Sequence, residues 1–172
     1  MPLTLDVKVT RSPAGDRLVI TYTVENGGGD AVFLVDELAR PGDDGWKIDA
    51  AAVIVRETAT DGVVRLVRGY AEPEADVRVA LVPAARRLEP GQKLAGRGET
   101  PLPLQVSHPQ DTPRPPRVPA TGVIVEVGYL DAPVALATVE LAGGGQALLP
   151  RAADLHQHQR FLSSQILPVP ER

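Results

Sequence analysis

Leu3-Thr4-Leu5-Asp6-Val7-Lys8-Val9-Thr10, then Ser12-Pro13-Ala14-Gly15-Asp16, then Leu18-Val19-Ile20-Thr21-Tyr22-Thr23-Val24-Glu25 is the stretch that decides the fold class. Leu3, Leu5, Val7 and Val9 alternate with polar residues, and so do Leu18, Ile20, Tyr22 and Val24. Successive side chains of a strand point to opposite faces, so a period of two with one apolar face predicts a half-buried strand. The segment between them carries the Pro and Gly of a turn. The reading is two antiparallel strands joined by a short loop, with Asn26-Gly27-Gly28-Gly29-Asp30 closing the second.

Working outward, the same beat continues. Ala31 to Leu38 is a short apolar run that reads as a third strand, followed by a turn over Arg40 to Trp46. Ala51 to Arg68 reads as a hairpin about Asp61-Gly62, a dipeptide suited to tight reversals. Glu72-Pro73-Glu74 breaks the chain, and Val77, Val79 and Leu81 alternate as a further strand up to Val82. Leu88 to Leu94 is a Pro-Gly turn leading into another strand, and Thr100-Pro101-Leu102-Pro103-Leu104 is extended and suited to an edge.

Residues 106–120 form the one compositional break. Pro109, Pro113, Pro115, Pro116 and Pro119 predict a long loop stiffened toward polyproline II. Val123, Val125, Val127 and Tyr129 then mark a strand, and Val134 to Leu141 is expected to return as its antiparallel partner, ending at Gly143-Gly144-Gly145. The tail, residues 150–172, differs. Leu155, Leu162 and Ile166 fall near helical spacing, so a short helix over 154–165 is expected, with Asp154 as N-cap and Pro168 as terminator. No strand is followed by a helical crossover before Pro150, which argues against parallel α/β architectures.

The bulk numbers bound the function classes. At 172 residues the chain suffices for one ordinary domain or two small ones. Hydrophobic residues at 43%, charged residues at 23% and a mean hydropathy of −0.06 belong to a globular chain rather than a disordered one. No apolar run reaches the roughly 18 to 20 residues that span a bilayer. A net charge of −4, a pI near 5.4 and scattered basic residues argue against nucleic acid and anionic membranes as partners. The absence of Cys removes disulfides, thiol nucleophiles and Cys-based metal sites together. Lysine occurs only at Lys8, Lys47 and Lys93 and asparagine only at Asn26, a bias in keeping with a GC-rich bacterial genome. The N-terminus shows no basic stretch leading into an apolar stretch and cleavage site. The expectation is a cytoplasmic chain, or a periplasmic or extracellular one whose leader was removed.

No constellation in the sequence carries catalysis. His108, His156 and His158 are the only histidines. Extended, His156 and His158 would share a face and could pair on a metal; on a helix they point about 200° apart. With helix expected there, they read as solvated polar residues. Asp36-Glu37 and Asp43-Asp44 lack the alternate-oxygen spacing of a calcium loop, and Asp43-Asp44-Gly45 reads as turn chemistry. Among Ser12, Ser107, Ser163 and Ser164, only Ser107 has a neighbouring His, at the edge of the proline loop, and none sits in a nucleophile elbow. Gly27 to Gly29 and Gly143 to Gly145 have no Lys and open no helix, so they read as hairpin ends rather than phosphate cradles. Pro113-Arg114-Pro115-Pro116-Arg117-Val118-Pro119 has the look of a proline-rich docking ligand, against the plainer reading of a stiff surface loop. Trp46 and Phe33 are expected to fill the core, since aromatics make up only 3% of the chain. The expected catalytic, cofactor-binding and metal residues are therefore none.

Thr21-Tyr22-Thr23-Val24-Glu25-Asn26-Gly27-Gly28 resembles the second strand of bacterial immunoglobulin-like and fibronectin III-like modules, and Leu88 to Leu94 resembles the Pro-Gly turn before a late strand in such domains. Adhesion-related sandwich modules and the intracellular proteinase inhibitors of bacilli share these cues. The resemblance covers about the first 105 residues, against a typical module of about 100. It implies an all-β fold, an antiparallel immunoglobulin-like β-sandwich, here with a long proline-rich loop and a short C-terminal helix. The strands on both sides of the proline loop favour a single enlarged domain over 1–172. The function expected is a non-catalytic protein-interaction or assembly module acting through loops or an exposed edge strand, with an unidentified protein partner. The alternatives are a proteinase inhibitor using the 106–120 loop as bait, and a metal-dependent hydrolase with a site assembled from distant strands.

Overall fold

The computed structural model describes residues 3–74, 81–131 and 134–172. Among these the chain is mostly β, with one short helix. A three-stranded antiparallel sheet has the order β1-β2-β8, from β1 (Leu3–Arg11), β2 (Arg17–Asn26) and β8 (Lys93–Pro101). A larger mixed sheet runs β10-β11-β7-β3-β9-β6-β5. Its strands are β3 (Val32–Gly42), β5 (Ile54–Glu57), β6 (Val63–Arg68), β7 (Val82–Leu88), β9 (Gly122–Asp131), β10 (Leu136–Glu140) and β11 (Gln146–Pro150). β4 (Gly45–Asp49) pairs with β3, while β12 (Arg160–Ser163) and β13 (Leu167–Pro168) pair with β9.

The opening hairpin forms as its alternation predicts. β1 and β2 pair without a slip from Leu3↔Asn26 to Arg11↔Leu18. The inward residues of β2, Leu18, Ile20, Tyr22 and Val24, are buried, and they share one hydrophobic cluster with Leu34, Val55, Val64, Leu66, Val123, Val125 and Val127 of the larger sheet. That shared cluster joins the two sheets. The centre of the larger sheet is covered on its other face as well, where Val35, Ala85 and Leu130 pack with Leu155 of α1 (Ala152–His158).

Several expectations are corrected. Val134 to Leu141 does not return on β9; β10 pairs with β11 across the Gly143–Gly145 turn, and β11 leads back to β7. β9 instead takes β6 as a parallel partner and β3, β12 and β13 as antiparallel ones. Among the described residues the crossover from β6 to β9 passes through β7 and β8 and no helix, so the parallel pair leaves no helical pattern in the sequence. Of the strand expected over Val77 to Val82, residues 77–80 lie outside the described residues; β7 starts at Val82, its pattern hidden by Pro83, Arg86 and Arg87.

The C-terminal helix is shorter and earlier than its spacing suggested. Arg151, without a side-chain capping bond, is the N-cap, and Asp154 lies in the first turn, where it pairs with Arg151. Leu162 is in β12, because a run of backbone bonds to β9 outweighs a helical extension with few apolar contacts. Pro168 ends β13 rather than the helix. Trp46 and Phe33 are only half-buried; Tyr22 is the aromatic at the centre. The β5–β6 hairpin forms, but over the five residues 58–62, with Gly62 at φ 78°, a left-handed conformation suited to glycine.

Candidate functional site

Three features merit a chemical reading. The first is a buried polar network between the sheets. A β-bulge in β3, between Leu34 and Glu37, opposes an extra residue to β7. Bulges re-aim side chains, and here the Asp36 carboxylate lies fully buried. It accepts hydrogen bonds from Tyr22 Oη at 2.5 Å and from Arg86 Nε and Nη2 at 3.0 and 2.5 Å. Arg68, at the end of β6, donates from Nε to Tyr22 Oη at 3.2 Å and from its two terminal nitrogens to the carbonyls of Ala52 and Ala50. Burial, and then the Asp36 carboxylate, push the Tyr22 hydroxyl well above the ordinary phenol value. A phenol so held is a hydrogen-bond bridge and a poor acid. Gly96 on β8 lies directly opposite Tyr22, and a Cβ there would sit 2.1 Å from the ring. The network joins β2 to β3, β6 and β7 with its polar groups satisfied, which is how buried charge is tolerated.

The second feature is a groove of about 1100 Å³ formed by the Ser12–Asp16 turn, Leu102–Gln105, the proline loop and residues 169–172. The Leu102–Pro103 peptide bond on its wall is cis. Arg11 at its rim is engaged, donating from Nε to Pro170 O at 2.6 Å and from Nη1 to Gly15 O at 3.0 Å. Ser12 Oγ donates to Asp16 and accepts from the Arg17 amide. The groove's walls are largely proline and aliphatic.

The third is the outer edge of β1. The Asn26 amide donates to Gln92 O and the Gly91 amide to Asn26 O, so the even-numbered residues of β2 bond toward β8. Its odd-numbered residues therefore bond β1, through Thr4, Asp6, Lys8 and Thr10. The Ser12 amide donating to Arg17 O agrees with this phase. Leu3, Leu5, Val7 and Val9 thus turn their amides and carbonyls away from β2, and among the described residues nothing pairs with them. The far edge of the same sheet differs: on β8 the Glu99 amide donates to Ala51 O, and Ala95 O accepts from Arg86.

The residues singled out in the sequence are scattered. His156 and His158 are exposed on α1, at opposed helical positions. His108 is buried; its Nε2 bonds Ala71 O at 3.0 Å, and the Gln110 amide donates to its Nδ1 at 3.1 Å. Burial, and then the nearby Arg56 charge, hold its pKa below the ordinary imidazole value. Ser107 pairs through its backbone with Val55, a bridge that anchors the proline loop. Asp43 and Asp44 are exposed in the β3–β4 turn. The proline loop is exposed yet braced: Val106 and Arg114 exchange backbone bonds, and Glu57 accepts from the Arg117 amide and pairs with Arg114. Among the described residues, no group of three or more His, Asp or Glu side chains gathers to hold a metal. Among the described residues, no helix is long and apolar enough to cross a membrane.

Sequence reasoning weighed Asp36 only as a calcium ligand and missed the network it forms with Arg68 and Arg86. A signal was present: Asp36 continues the alternation of Val32 and Leu34, placing a carboxylate on an apolar face. The comparisons with known proteins found no matching family model, no matching curated protein and no matching solved structure.

Proposed function

We propose that this chain is a non-catalytic protein-interaction or assembly module of a bacterial protein, an immunoglobulin-like β-sandwich that engages protein through the open edge of β1. One observation carries the reading: a straight nine-residue edge strand without proline or bulge, whose outward amides have no partner among the described residues. Such an edge is a template for an added strand, and soluble proteins ordinarily blunt it. Main-chain bonds to Leu3, Leu5, Val7 and Val9 would supply affinity, and their half-buried side chains would supply apolar contact. The tethered proline loop and the closed Tyr22–Asp36–Arg86–Arg68 network serve as scaffold in this reading.

The test is selection of extended peptides displayed against the immobilised protein, followed by amide hydrogen exchange of the complex. Protection at Leu5, Val7 and Val9 supports the reading. Ligands that protect another surface and leave those amides exchanging freely would overturn it, and so would a selection that yields no ligand.

A further inference from the structure

The sequence along the open edge is nearly its own mirror image. About Val7 it reads Thr4-Leu5-Asp6-Val7-Lys8-Val9-Thr10, with Thr matching Thr, Leu matching Val, and Asp matching Lys. We infer that the strand added to β1 is β1 of a second copy of this chain, antiparallel and centred on Val7; this rests on the edge reading above. A two-fold axis through Val7 sets Leu5 against Val9, Thr4 against Thr10, and Asp6 against Lys8 of the second copy, twice by symmetry. The interface is isologous and closes at two copies. The product is a six-stranded sheet of order β8-β2-β1-β1-β2-β8.

Three independent features agree with this register. The hydrogen-bond phase fits, since the outward residues Leu5, Val7 and Val9 would form the hydrogen-bonded pairs. Asp6 and Lys8 would then occupy non-hydrogen-bonded positions, where cross-strand side chains approach most closely. The charges are available: Asp6 and Lys8 are exposed, and among the described residues neither has an ion-pair partner within the chain. Their own cross-strand neighbours are Thr23 and Thr21. Finally, the neighbouring registers are disfavoured. A slip of one residue inverts the faces. The next slip that keeps the faces sets Asp6 against Asp6 in one direction and Lys8 against Lys8 in the other, and like charges directly opposed are destabilising. The apolar face also gains, because Leu5, Val7 and Val9 are only half-buried while their β2 neighbours Ile20, Tyr22 and Val24 are buried.

The experiment is sedimentation velocity over a concentration series on the full chain, with Asp6→Lys, Lys8→Asp, the double exchange and an equimolar mixture of the two single variants. The wild type should dimerise. Each single variant sets two pairs of like charge across the axis and should weaken the dimer at least about tenfold, or about 1.4 kcal/mol. The double exchange should restore it. The mixture should form a heterodimer, identified by native mass spectrometry, because all-Lys then faces all-Asp. Unchanged circular dichroism and thermal midpoints show that the variants fold. A wild type that stays monomeric at millimolar concentration overturns self-pairing, as does a dimer indifferent to both single reversals. In either case protection of the Leu5, Val7 and Val9 amides by a displayed peptide keeps the edge reading standing, so the two failures are distinct.

Discussion

Replacing Asp36 with Asn tests whether the polar network holds the two sheets together. The change is nearly isosteric but removes the negative charge from a fully buried position. Three hydrogen bonds depend on that carboxylate, one from Tyr22 and two from Arg86. Arg86 keeps its bond to Ala95 O and, as a charge partner, the more distant Glu37 at 3.8 Å, and Arg68, only 1% exposed, loses the acid at the end of its phenol bridge. Breaking a buried ion pair from one side costs about 3–5 kcal/mol. With the Arg86 side chain 26% exposed, solvent relieves part of that, and about 3 kcal/mol is expected. Against a total stability of about 5–15 kcal/mol this is a large fraction. Urea unfolding followed by far-ultraviolet circular dichroism, with Trp46 fluorescence as a second probe, should show a lower midpoint at unchanged slope. In the cycle with Arg86→Met, the double variant should be less damaged than the sum of the singles, with coupling of about 1–3 kcal/mol. A cost of Asp36→Asn below about 1 kcal/mol, or no coupling, would refute the reasoning.

Gly96→Ala places a methyl within 2.1 Å of the Tyr22 ring and should cost about 2–3 kcal/mol, read from thermal melts; in a Tyr22→Ala background the same change should cost little, and an equal cost in both would count against the close approach. His108 gives a pH dependence. Its folded pKa lies below the ordinary imidazole value of 6.5, so between the two values the unfolded chain binds a proton that the folded chain does not. Its contribution is full above pH 6.5 and declines as pH falls toward the folded value. His108→Gln should flatten the urea midpoint against pH in that window, and identical slopes would exclude the effect.

The sequence disclosed local structure well wherever a strand has one wet face. β1 and β2 are legible because Thr4, Asp6, Lys8 and Thr21 stand outside while Leu5, Val7 and Ile20 stand inside. β7 was not, because Pro83, Arg86 and Arg87 interrupt the pattern, and Arg86 is there to meet Asp36 across a bulge. Pairing between distant strands was beyond reach. Nothing local to Val123–Tyr129 says that its neighbours are β6, β3, β12 and β13 rather than the segment that follows it. The C-terminal strands were misread for a related reason: Leu155, Leu162 and Ile166 have helical spacing, but the unpaired groups of β9 offered Arg160–Ser163 a ladder instead. The edge of β1 was half-visible. Its alternation was read at once, whereas its lack of an outer neighbour depends on where every other strand went.

The contrast among the edges argues that the β1 edge is a built feature. β12 and β13 are short, β8 is occupied by Ala51 and by Arg86, and β10 has β4 close by, with the Ala142 amide donating to Trp46 O. These are ordinary ways of blunting an edge. β1 has neither proline nor bulge, and although β12 comes near it, no backbone bond is made to its outer edge among the described residues; apart from Arg11 at its end, which is tied to Pro170 and Gly15, it carries one acid and one base, placed symmetrically about a valine. A pair of like charges would repel every copy of the strand. A pair of opposite charges repels the slipped registers and admits the centred one, so two side chains both guard the edge and choose its occupant.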